Sequence, residues 1–462
     1  MTVTPASEVR QGQTSIEVSF GRAAGGLSNV THVDLEDLSV AIDPKSSPEQ
    51  LLLDVTVPHG AAIGPRTLTF DANGETITQS AALDVTPITA GPEGLDSQWG
   101  TAHSPYRSLG QALAVAGPGD TCVLEAGTYD AESGETWGYA VPDAVTLTGE
   151  SAAETVLEGG VHPAPSATGT GLAALNPLGS LTVQKLSLAD FDVAVDLARP
   201  AQVSLEGVAI RGNGTGLVVA AGGSSVKLTG GSVDAAAGAV EVAAACDACS
   251  LTIDGTTLSE SNTAPLIQIS EGSHHGVLSF KNAELDGSVL VLDRQATMTI
   301  EASHLRGNGN AALNFSGAQL DVTGSDIRAD LGPFGINFNG GKMTLTDVTV
   351  EGTEYGVYQL AGTSKVRGSK FTGYSSIGYY YAAGDLDLGT ATEAGNNAFV
   401  GVGAEAYGLY VDTDTTPLTC SNTSFDGVVP EPHTVKADTE IVNEGNEFLL
   451  VPGRMISFFV VP

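Results

Sequence analysis

Basic residues are scarce in this sequence. Among its 462 residues, 19 are lysine or arginine and 54 are aspartate or glutamate, which gives a formal net charge of -35 at pH 7. Nucleic acids and anionic membrane surfaces are bound largely through basic side chains that replace counterions, so both would be repelled by this chain. The charge balance excludes these two classes of partner and favours neutral glycans, cations or other proteins.

Long apolar segments are also absent. No stretch reaches the roughly 18 to 20 apolar residues that a membrane-spanning helix needs, so membrane insertion is not expected. The first residue, Met1, runs directly into the polar sequence TVTPASEVRQGQT, and no signal peptide is visible. We nevertheless expect a secreted or cell-surface bacterial protein whose native signal peptide is missing from this sequence.

Glycine and small or β-branched residues make up much of what is present. The chain contains 58 glycines, and only 16% of its residues are charged. At 462 residues it is too long for one ordinary globular core, so it must hold several domains or one extended repeat. This composition favours many short strands joined by tight turns.

Residues 1–90 are predicted to form a small β-sandwich. Alternating apolar runs occur at 14–20, 50–57 and 65–78, and Pro, Gly and Ser turns separate them. The sequence TVTPASEVRQGQT…VPHGAAIGPRTLTF…GETIT resembles the IPT/TIG-like immunoglobulin domains of bacterial surface proteins. That resemblance implies a spacer or binding module and carries no catalytic residues.

Residues 91–462 are predicted to form a parallel β-helix that begins with a short helix. Residues 108–116 have apolar side chains at helical spacing, and GPGD ends the helix before a strand that starts at Thr121. The sequence GTAHSPYRSLGQALAVAGPGDTCVLEAGTY resembles the first coil of right-handed parallel β-helices in a bacterial family of unknown function within the pectin-lyase-like superfamily. The resemblance implies the fold, with the helix as its cap, and leaves the chemistry open.

A repeat supports the β-helix independently of that resemblance. The pattern apolar-x-apolar-x-x-x-x-apolar recurs with spacings mostly in the low twenties, which is typical of a β-solenoid. Its fifth position is mostly Gly or Asn, as a corner with positive φ requires. The pattern begins at Leu181, Val203, Val226, Leu251, Leu278, Met298, Leu320, Met343, Ser364 and Leu418.

A second strand follows the pattern in each coil, and its middle residue is predicted to point outward. This outward column comprises Asp196, Val218, Glu241, Gln268, Val291, Asn314, Asn337, Tyr358, Tyr380 and Tyr410. In the sequence IGYYYAAG, Tyr379 and Tyr381 should therefore face the core. The stripe of Tyr358, Tyr380 and Tyr410 is either a ladder that stabilises the sheet or a ligand-binding surface suited to sugar rings.

One polar cluster could carry chemistry. Its predicted members are Glu284, His304, Asp326, Asp286, Arg306, Arg328 and Glu351. A polysaccharide lyase needs a base and groups that manage the charge of a uronate, and a glycosidase needs two carboxyl groups. The alternative is a cross-coil charge ladder without catalytic function. The catalytic motifs of pectate lyases, polygalacturonases and alginate epimerases are absent.

The four cysteines fall into two groups. Cys122 and Cys420 lie near opposite ends of the predicted solenoid and are expected to be buried thiols. Cys246 and Cys249 are close in sequence and could form a disulfide, stay reduced, or bind zinc together with His274 or His275. We expect no cofactor, although a divalent cation could bind.

Taken together, the residues favour a non-catalytic surface or matrix protein that presents a rigid β-helix to a glycan or a surface protein. One alternative is a polysaccharide lyase or glycoside hydrolase that uses Glu284, His304, Asp326, Arg306 and Arg328. A second alternative is a structural spacer or fibre domain.

Overall fold

The computed structural model confirms an all-β protein, with N-terminal sandwich-like sheets and a parallel β-solenoid of about twelve turns. Two compact units are distinguished. The N-terminal unit comprises Met1–Val161, Leu172–Ala189 and Gln202–Ala209, and the C-terminal unit comprises the rest. The structure describes residues 2–4, 8–21, 27, 29–160, 173–260, 264–272, 276–352, 354–390, 392–402, 406–411, 418–426, 433–434, 441–444 and 447–448. No helix within these residues is long and apolar enough to cross a membrane.

Two four-stranded sheets form the N-terminal sandwich. The first contains, in spatial order, Thr2–Thr4, Ile16–Gly21, Gln50–Thr56 and Ser39–Ile42, and the second contains Glu8–Arg10, Glu75–Thr86, Gly64–Ala72 and Val30–Asp34. Apolar side chains such as Phe20 and Phe70 are fully buried between them. The strands Gly64–Ala72 and Glu75–Thr86 pair through a two-residue hairpin turn at Asn73 and Gly74. Both turn residues have positive φ, as the tightest hairpin turns require.

The only α-helix in the described residues, α1, spans Leu109–Val115 and agrees with the sequence prediction. Ser108 is its N-cap, and the Ser108 side chain accepts a hydrogen bond from the backbone N–H of Gln111 at 3.1 Å. The buried Glu135 accepts a further hydrogen bond from the N–H of Leu109 at 2.7 Å. These acceptors satisfy first-turn N–H groups that a helix leaves without partners.

Buried polar contacts join the sandwich to the first solenoid strands inside the N-terminal unit. The backbone N–H of Thr121 donates to the side chain of Gln11 at 2.8 Å. The fully buried Asp120 lies 2.6 Å from Nδ1 of His59 and accepts the N–H of Gly60 at 2.8 Å. Because Gln11 and Asp120 are themselves buried, the loss of a partner would leave either side chain with a costly unsatisfied polar atom.

Solenoid strands of the N-terminal unit lie in three parallel sheets, called sheets 1, 2 and 3. Sheet 1 contains Ile88–Ala90, Thr121–Leu124, Val145–Thr148, Ser180–Gln184 and Gln202–Glu206. Sheet 2 contains Gly127–Tyr129, Thr155–Glu158 and Ser187–Ala189, and sheet 3 contains Tyr139–Val141 and Ala173–Pro177. Each coil therefore contributes one strand to each sheet in turn.

The C-terminal unit repeats this arrangement. Sheet 1 contains Ser225–Thr229, Ser250–Asp254, Val277–Lys281, Thr297–Glu301, Gln319–Thr323, Lys342–Thr346, Thr363–Arg367 and Asp385–Asp387. Sheet 2 contains Ala209–Asn213, Ser232–Ala235, Thr257–Glu260, Glu284–Asp286, His304–Gly307, Asp326–Ala329, Thr349–Glu351, Lys370–Thr372, Ala398–Val400, Ser424–Asp426 and Glu447–Phe448. Sheet 3 contains Val193–Leu197, Thr215–Val219, Val240–Val242, Ile267–Ile269, Val289–Val291, Ala311–Phe315, Phe334–Phe338, Tyr355–Gln359, Ile377–Tyr381, Tyr407–Val411 and His433–Thr434. A parallel pair, Leu418–Ser421 and Ile441–Glu444, completes the described strands.

The predicted inward column of sheet 1 is confirmed. Val226, Leu251, Leu278, Met298 and Leu320 are direct neighbours in successive strands and are at most 2% exposed. In the N-terminal unit, Leu181 pairs with Val203 in the same way. Burial of this apolar column stabilises the stacking of the coils.

The predicted corners are confirmed as well. The fifth position of the pattern has a φ between 46° and 62° in every coil where the pattern was recognised. This applies to Lys185, Gly207, Gly230, Gly255, Asn282, Ala302, Gly324, Asp347, Gly368 and Asn422. Gly and Asn predominate there because a left-handed backbone conformation is costly for most other residues.

The predicted outward column of sheet 3 is correct except at one coil. Leu290 pairs with Gln268 on one side and Asn314 on the other, so it is Leu290 that occupies the outward position. Val291 was predicted there and is instead fully buried. The strand Val289–Val291 begins one residue earlier than expected, and a slip of one residue reverses the face to which each side chain points.

Candidate functional site

Three tyrosines form a stacked ladder on sheet 3. Tyr358 pairs with Tyr380, and Tyr380 pairs with Tyr410, in three consecutive strands. Their ring centroids are 4.4 and 5.2 Å apart, and both pairs of ring planes are inclined by 11°. All three side chains are half-buried, as expected for residues on the outer face of a sheet.

The neighbouring tyrosines face the core, as the sequence predicted. Tyr379 is fully buried, and its hydroxyl donates to Oε1 of Gln359 at 2.6 Å. Tyr381 is also buried, and its hydroxyl donates to the carbonyl of Gly384. Burial raises the pKa of Tyr379, so this phenol stays protonated at neutral pH.

A second column of rings stands beside the ladder and was not predicted. It contains Phe334, Tyr355 and Tyr407, all half-buried, with Ile377 between the two tyrosines. Tyr355 is inclined by 75° to Tyr358, and Tyr407 is inclined by 75° to Tyr410. We call Phe334, Tyr355, Tyr358, Tyr380, Tyr407 and Tyr410 the aromatic patch.

Glycine follows each residue of this second column, as in FGINF, YGVYQ, IGYYY and YGLYV. A Cβ at Gly356 would lie 2.4 Å from the carbonyl oxygen of Gly378, and one at Gly378 would lie 2.7 Å from that of Gly408. The coils approach too closely at this position for any side chain. An aromatic residue followed by glycine, three residues before the outward position, is the sequence signal that could have revealed the second column.

Stacking by itself does not identify a binding surface. Phe371, Phe399 and Phe425 stack inside the solenoid at 4.8 and 5.0 Å, with planes inclined by 13° and 6°. Those rings are buried and contribute to the core. The aromatic patch differs because its rings lie on the outer face. Its ladder rings cover each other's faces, so their edges and hydroxyl groups, together with the second column, form the accessible surface.

Amide side chains continue the outward column before the tyrosines. Asn314 pairs with Asn337, and Asn337 pairs with Tyr358. Nδ2 of Asn339 donates to Oδ1 of Asn314 at 2.9 Å and to the hydroxyl of Ser316 at 3.1 Å. The aromatic patch is therefore continuous with a row of hydrogen-bonding groups. Two exposed apolar side chains, Leu331 (78%) and Val402 (67%), precede its strands in the sequence.

Three members of the predicted polar cluster, Glu284, His304 and Asp326, lie side by side in sheet 2. His304 lies between two acids of adjacent strands, with Nδ1 3.0 Å from Asp326 and Nε2 3.8 Å from Glu284. All three side chains are more than half exposed. Direct lateral pairing of a basic side chain with acidic ones is the arrangement expected of a cross-coil ladder.

Arginines of the same cluster are also paired with acids. Arg306 and Arg328 both contact Asp330, at 3.0 and 2.7 Å, and Arg328 lies 3.5 Å from Glu351. Arg306, Arg328 and Glu351 line a cavity of about 350 Å³ together with His304. Each arginine is held by a carboxylate, and each is about half exposed, so the cluster is a solvated ion-pair network. The catalytic assignment of this cluster stays a prediction.

Sequence reasoning missed one acidic residue near this cluster. Glu260 ends a strand of sheet 2, and burial raises its pKa to about 7, with a smaller contribution from the negative charge of Asp286. A Cβ at Gly287 would lie 3.0 Å from the Glu260 side chain, so this carboxyl group packs against the backbone of the next coil. No motif marks Glu260, because its environment depends on the neighbouring coil.

A disulfide joins Cys246 and Cys249, with the two Cα atoms 5.8 Å apart. His274 and His275, the proposed partners in a zinc site, lie outside the described residues. Within those residues, no group of three or more His, Cys, Asp or Glu side chains could hold a metal ion. Cys122 and Cys420 are buried free thiols, and burial raises their pKa values to about 12 and about 11.

Residues 92–227 match a protein family described as "Protein of unknown function (DUF1565)". Among solved structures, the chain is similar to the A-module of the Azotobacter vinelandii mannuronan C-5 epimerase AlgE4, at 13% identity and a TM-score of 0.35, covering 61% of this chain and 87% of that chain. It is also similar to the AlgE6 A-module of the same organism, at 12% identity and a TM-score of 0.33, covering 74% and 93%. No curated protein matches the sequence.

Proposed function

We propose that this chain is a non-catalytic glycan-binding protein and that the aromatic patch is its binding surface. One observation carries the proposal: six half-buried rings lie on the outer face of four consecutive strands of sheet 3. The same column holds no ring in the strands from Val193–Leu197 to Ala311–Phe315. Stacking would stabilise the sheet anywhere along it, so this concentration favours a local purpose.

The chemistry of the patch suits sugar rings. Pyranose rings have apolar C–H faces and a rim of hydroxyl groups, so they bind where aromatic surface and hydrogen-bonding groups adjoin. Tyr355 and Tyr407 are inclined steeply to the ladder, which gives the patch more than one ring orientation. The hydroxyl groups of the tyrosines and the amides of Asn314 and Asn339 supply polar contacts beside the rings.

The charge of the chain favours a neutral glycan over an acidic one. Acids outnumber bases by 54 to 19, and Glu354 immediately precedes Tyr355. Burial and the nearby Glu354 raise the pKa of Tyr355, so its hydroxyl remains a hydrogen-bond donor at neutral pH. A polyanion would meet repulsion at this surface unless salt screened it.

We also propose that the protein is located outside the cytoplasm. The disulfide between Cys246 and Cys249 supports it, because disulfides persist mainly in oxidising compartments. The paired charges of the His304 cluster support the non-catalytic part, since each base there is already held by an acid. A surface or matrix protein would meet glycans in that setting.

Substitution of Tyr380 tests the proposal. Tyr380 lies between Tyr358 and Tyr410, so Tyr380→Ala removes the central ring of the ladder. We expect the dissociation constant for the best ligand on a glycan array to rise about tenfold or more, which corresponds to roughly 1.4 kcal/mol. The dissociation constants of the variant and the unmodified protein for that oligosaccharide are then measured by isothermal titration calorimetry.

Val218→Ala is the matched control, because Val218 occupies the outward position of the same sheet in a coil without rings. This variant should bind as the unmodified protein does. If Tyr380→Ala also binds with unchanged affinity while retaining its circular dichroism spectrum, the aromatic patch is a structural ladder and the proposed function is wrong. An array that shows no bound glycan would contradict it equally.

A further inference from the structure

A groove of about 870 Å³ lies in the N-terminal unit, and no residue of the aromatic patch lines it. One wall is formed by the strand Glu8–Arg10 and the residues that follow it, up to Val18. The other wall is formed by residues 99–106, which lead into helix α1.

Trp99 presents its indole at the groove. It is 68% exposed, whereas tryptophan in folded proteins is usually mostly buried. Its backbone is fixed, because its carbonyl accepts a hydrogen bond from Nε of Arg10 at 2.9 Å. The next residues form a tight turn in which the N–H of Gly100 donates to the carbonyl of Ser104 at 2.9 Å. A rigid backbone therefore holds a large apolar ring out into solvent.

The guanidinium group of Arg10, on the opposite wall, is preorganised by its contacts within the protein. Its guanidinium carbon lies 6.0 Å from the ring centroid of the buried Tyr106, at the outer limit for a cation–π contact. Nη1 donates to the carbonyl of Gln11 at 2.9 Å. Within the described part of the chain Nη2 has no hydrogen-bond partner, so its N–H groups are free to donate to a ligand.

A Glu8–His103 pair supplies further polar groups to the groove. Nδ1 of His103 lies 2.7 Å from Oε1 of Glu8. The His103 side chain is 83% exposed, and that of Glu8 is only 19% exposed. The pair orients the imidazole and leaves Nε2 of His103 and the second oxygen of Glu8 to interact with a ligand. The groove thus combines an aromatic face with both donors and acceptors.

We propose that this groove is a second carbohydrate site, which binds a pyranose unit of a neutral glycan against Trp99. The exposed indole would cover the C–H face of the sugar, and Arg10, Glu8 and His103 would bind its hydroxyl groups. Neutral sugar is favoured because Glu8 and Glu17 both line the groove and Arg10 is its one arginine. The site shares no residue with the aromatic patch, so it does not rest on the proposed function.

Tryptophan fluorescence can test this site directly, because the chain has two tryptophans, Trp99 and Trp137. In the variant Trp137→Phe, excited at a wavelength that tyrosine does not absorb, the emission comes from Trp99 alone. The probes are cellohexaose, chitohexaose and mannohexaose, with oligogalacturonate as the acidic comparison. We expect at least one neutral probe to shift the emission to shorter wavelength and to protect Trp99 from acrylamide quenching. Oligogalacturonate should give weaker protection.

Substitutions then assign the binding. His103→Ala should raise the dissociation constant, measured by quenching protection, about fivefold or more. Trp99→Ala, followed by calorimetry, should raise it at least tenfold. Leu95→Ala is the matched control, because Leu95 is exposed on the same segment and does not line the groove. It should bind normally.

Several results would overturn this site. They are the absence of protection by every neutral probe, stronger protection by oligogalacturonate, and unchanged binding in both His103→Ala and Trp99→Ala. Tyr380→Ala, introduced into the Trp137→Phe background, separates the two proposals. Protection of Trp99 that survives this substitution belongs to the groove, and protection that disappears with it overturns the groove as an independent site.

Discussion

Glu260 shows how one residue's chemistry is set by the coil beside it. Its carboxyl group packs against Gly287, and burial raises its pKa to about 7 from an ordinary value of 4.5. Well below pH 4.5, Glu260 is protonated in both the folded and the unfolded chain, so its ionisation does not change the free energy of unfolding. As the pH rises from 4.5 through 7, the unfolded chain ionises more readily, and the free energy of unfolding falls.

Glu260→Gln should remove this pH dependence, because glutamine resembles the neutral acid. The variant and the unmodified protein should have the same melting temperature at pH 4. At pH 8 the variant should be more stable by about 1 kcal/mol, a value reduced from the full pKa shift because the side chain is only half-buried. Thermal unfolding at both pH values measures this difference. Glu271→Gln is the control, since Glu271 is exposed.

A glutamine variant that is no more stable than the unmodified protein at pH 8 would contradict this account of Glu260. The aromatic patch and the groove would be unaffected by that outcome, since neither includes Glu260.

At the scale of single elements, the corner of each coil is the most regular feature. Ala302 and Gly255 occupy the same corner position, with φ of 46° and 59°. A Cβ at Gly255 would meet no atom within 4 Å, so a substitution there acts through the backbone alone. We expect Ala302→Gly to stabilise the protein and Gly255→Ala to destabilise it, each by about 1 kcal/mol.

Chemical denaturation of both variants checks the corner prediction. Opposite shifts of the unfolding midpoint are expected, with unchanged slope. Ala283→Gly is a useful control, because Ala283 adjoins a corner but lacks positive φ. Shifts of the same sign in Ala302→Gly and Gly255→Ala would contradict a backbone origin.

Elements with a local signal could be predicted from the sequence. Helix α1 was located because residues 108–116 have apolar side chains at helical spacing and GPGD follows as a stop signal. The corners were located because few residues other than Gly and Asn adopt positive φ cheaply. In both cases the interactions that determine the structure are made between residues close together in the sequence.

Register was predictable only where polar and apolar residues alternate. In the strand Val289–Val291 the sequence VLV is followed by Leu292, so four apolar residues in succession allow either face to point inward. Sequence alone placed Val291 outward, and the neighbouring strands fix Leu290 there instead. The second column of rings was missed for a different reason, because strict alternation does not predict that residues three apart in one strand lie on the same face. Tyr355 and Tyr358 have this spacing, as do Tyr407 and Tyr410, and in both pairs the rings lie side by side.

The groove at Trp99 could not be found from sequence. Arg10 and Trp99 are 89 residues apart and meet only because the sandwich and the first coil fold together in the N-terminal unit. His103 and Glu8 are brought together by the same folding. Residue types such as these have no diagnostic spacing, in contrast to the repeat that identified the solenoid.

For the molecule as a whole, the repeat means that each coil is supported chiefly by its immediate neighbours. Leu251 lies in the inward column between Val226 and Leu278. Leu251→Asp would bury an unpaired charge and should lower the free energy of unfolding of that region by several kcal/mol. Hydrogen exchange should show lost protection in the strands Ser225–Thr229 and Val277–Lys281 and retained protection in Lys342–Thr346.

Thr252→Asp is the matched control, because Thr252 is adjacent in sequence and points to the outer face. It should leave exchange nearly unchanged. Equal effects of the two substitutions would contradict the assignment of the inward column, and loss of protection throughout the C-terminal unit after Leu251→Asp would contradict neighbour-limited support.

The repeating register also affects how such a chain can evolve. Leu278 pairs with Met298, which in turn pairs with Leu320. A gene lacking the codons for 297–318 would encode a chain in which Leu320 takes the place of Met298, with inward, outward and corner positions all preserved. Whole coils can therefore be lost or duplicated without disturbing the remaining ones. The number of coils can change during evolution while the residues of the groove and of the aromatic patch stay the same.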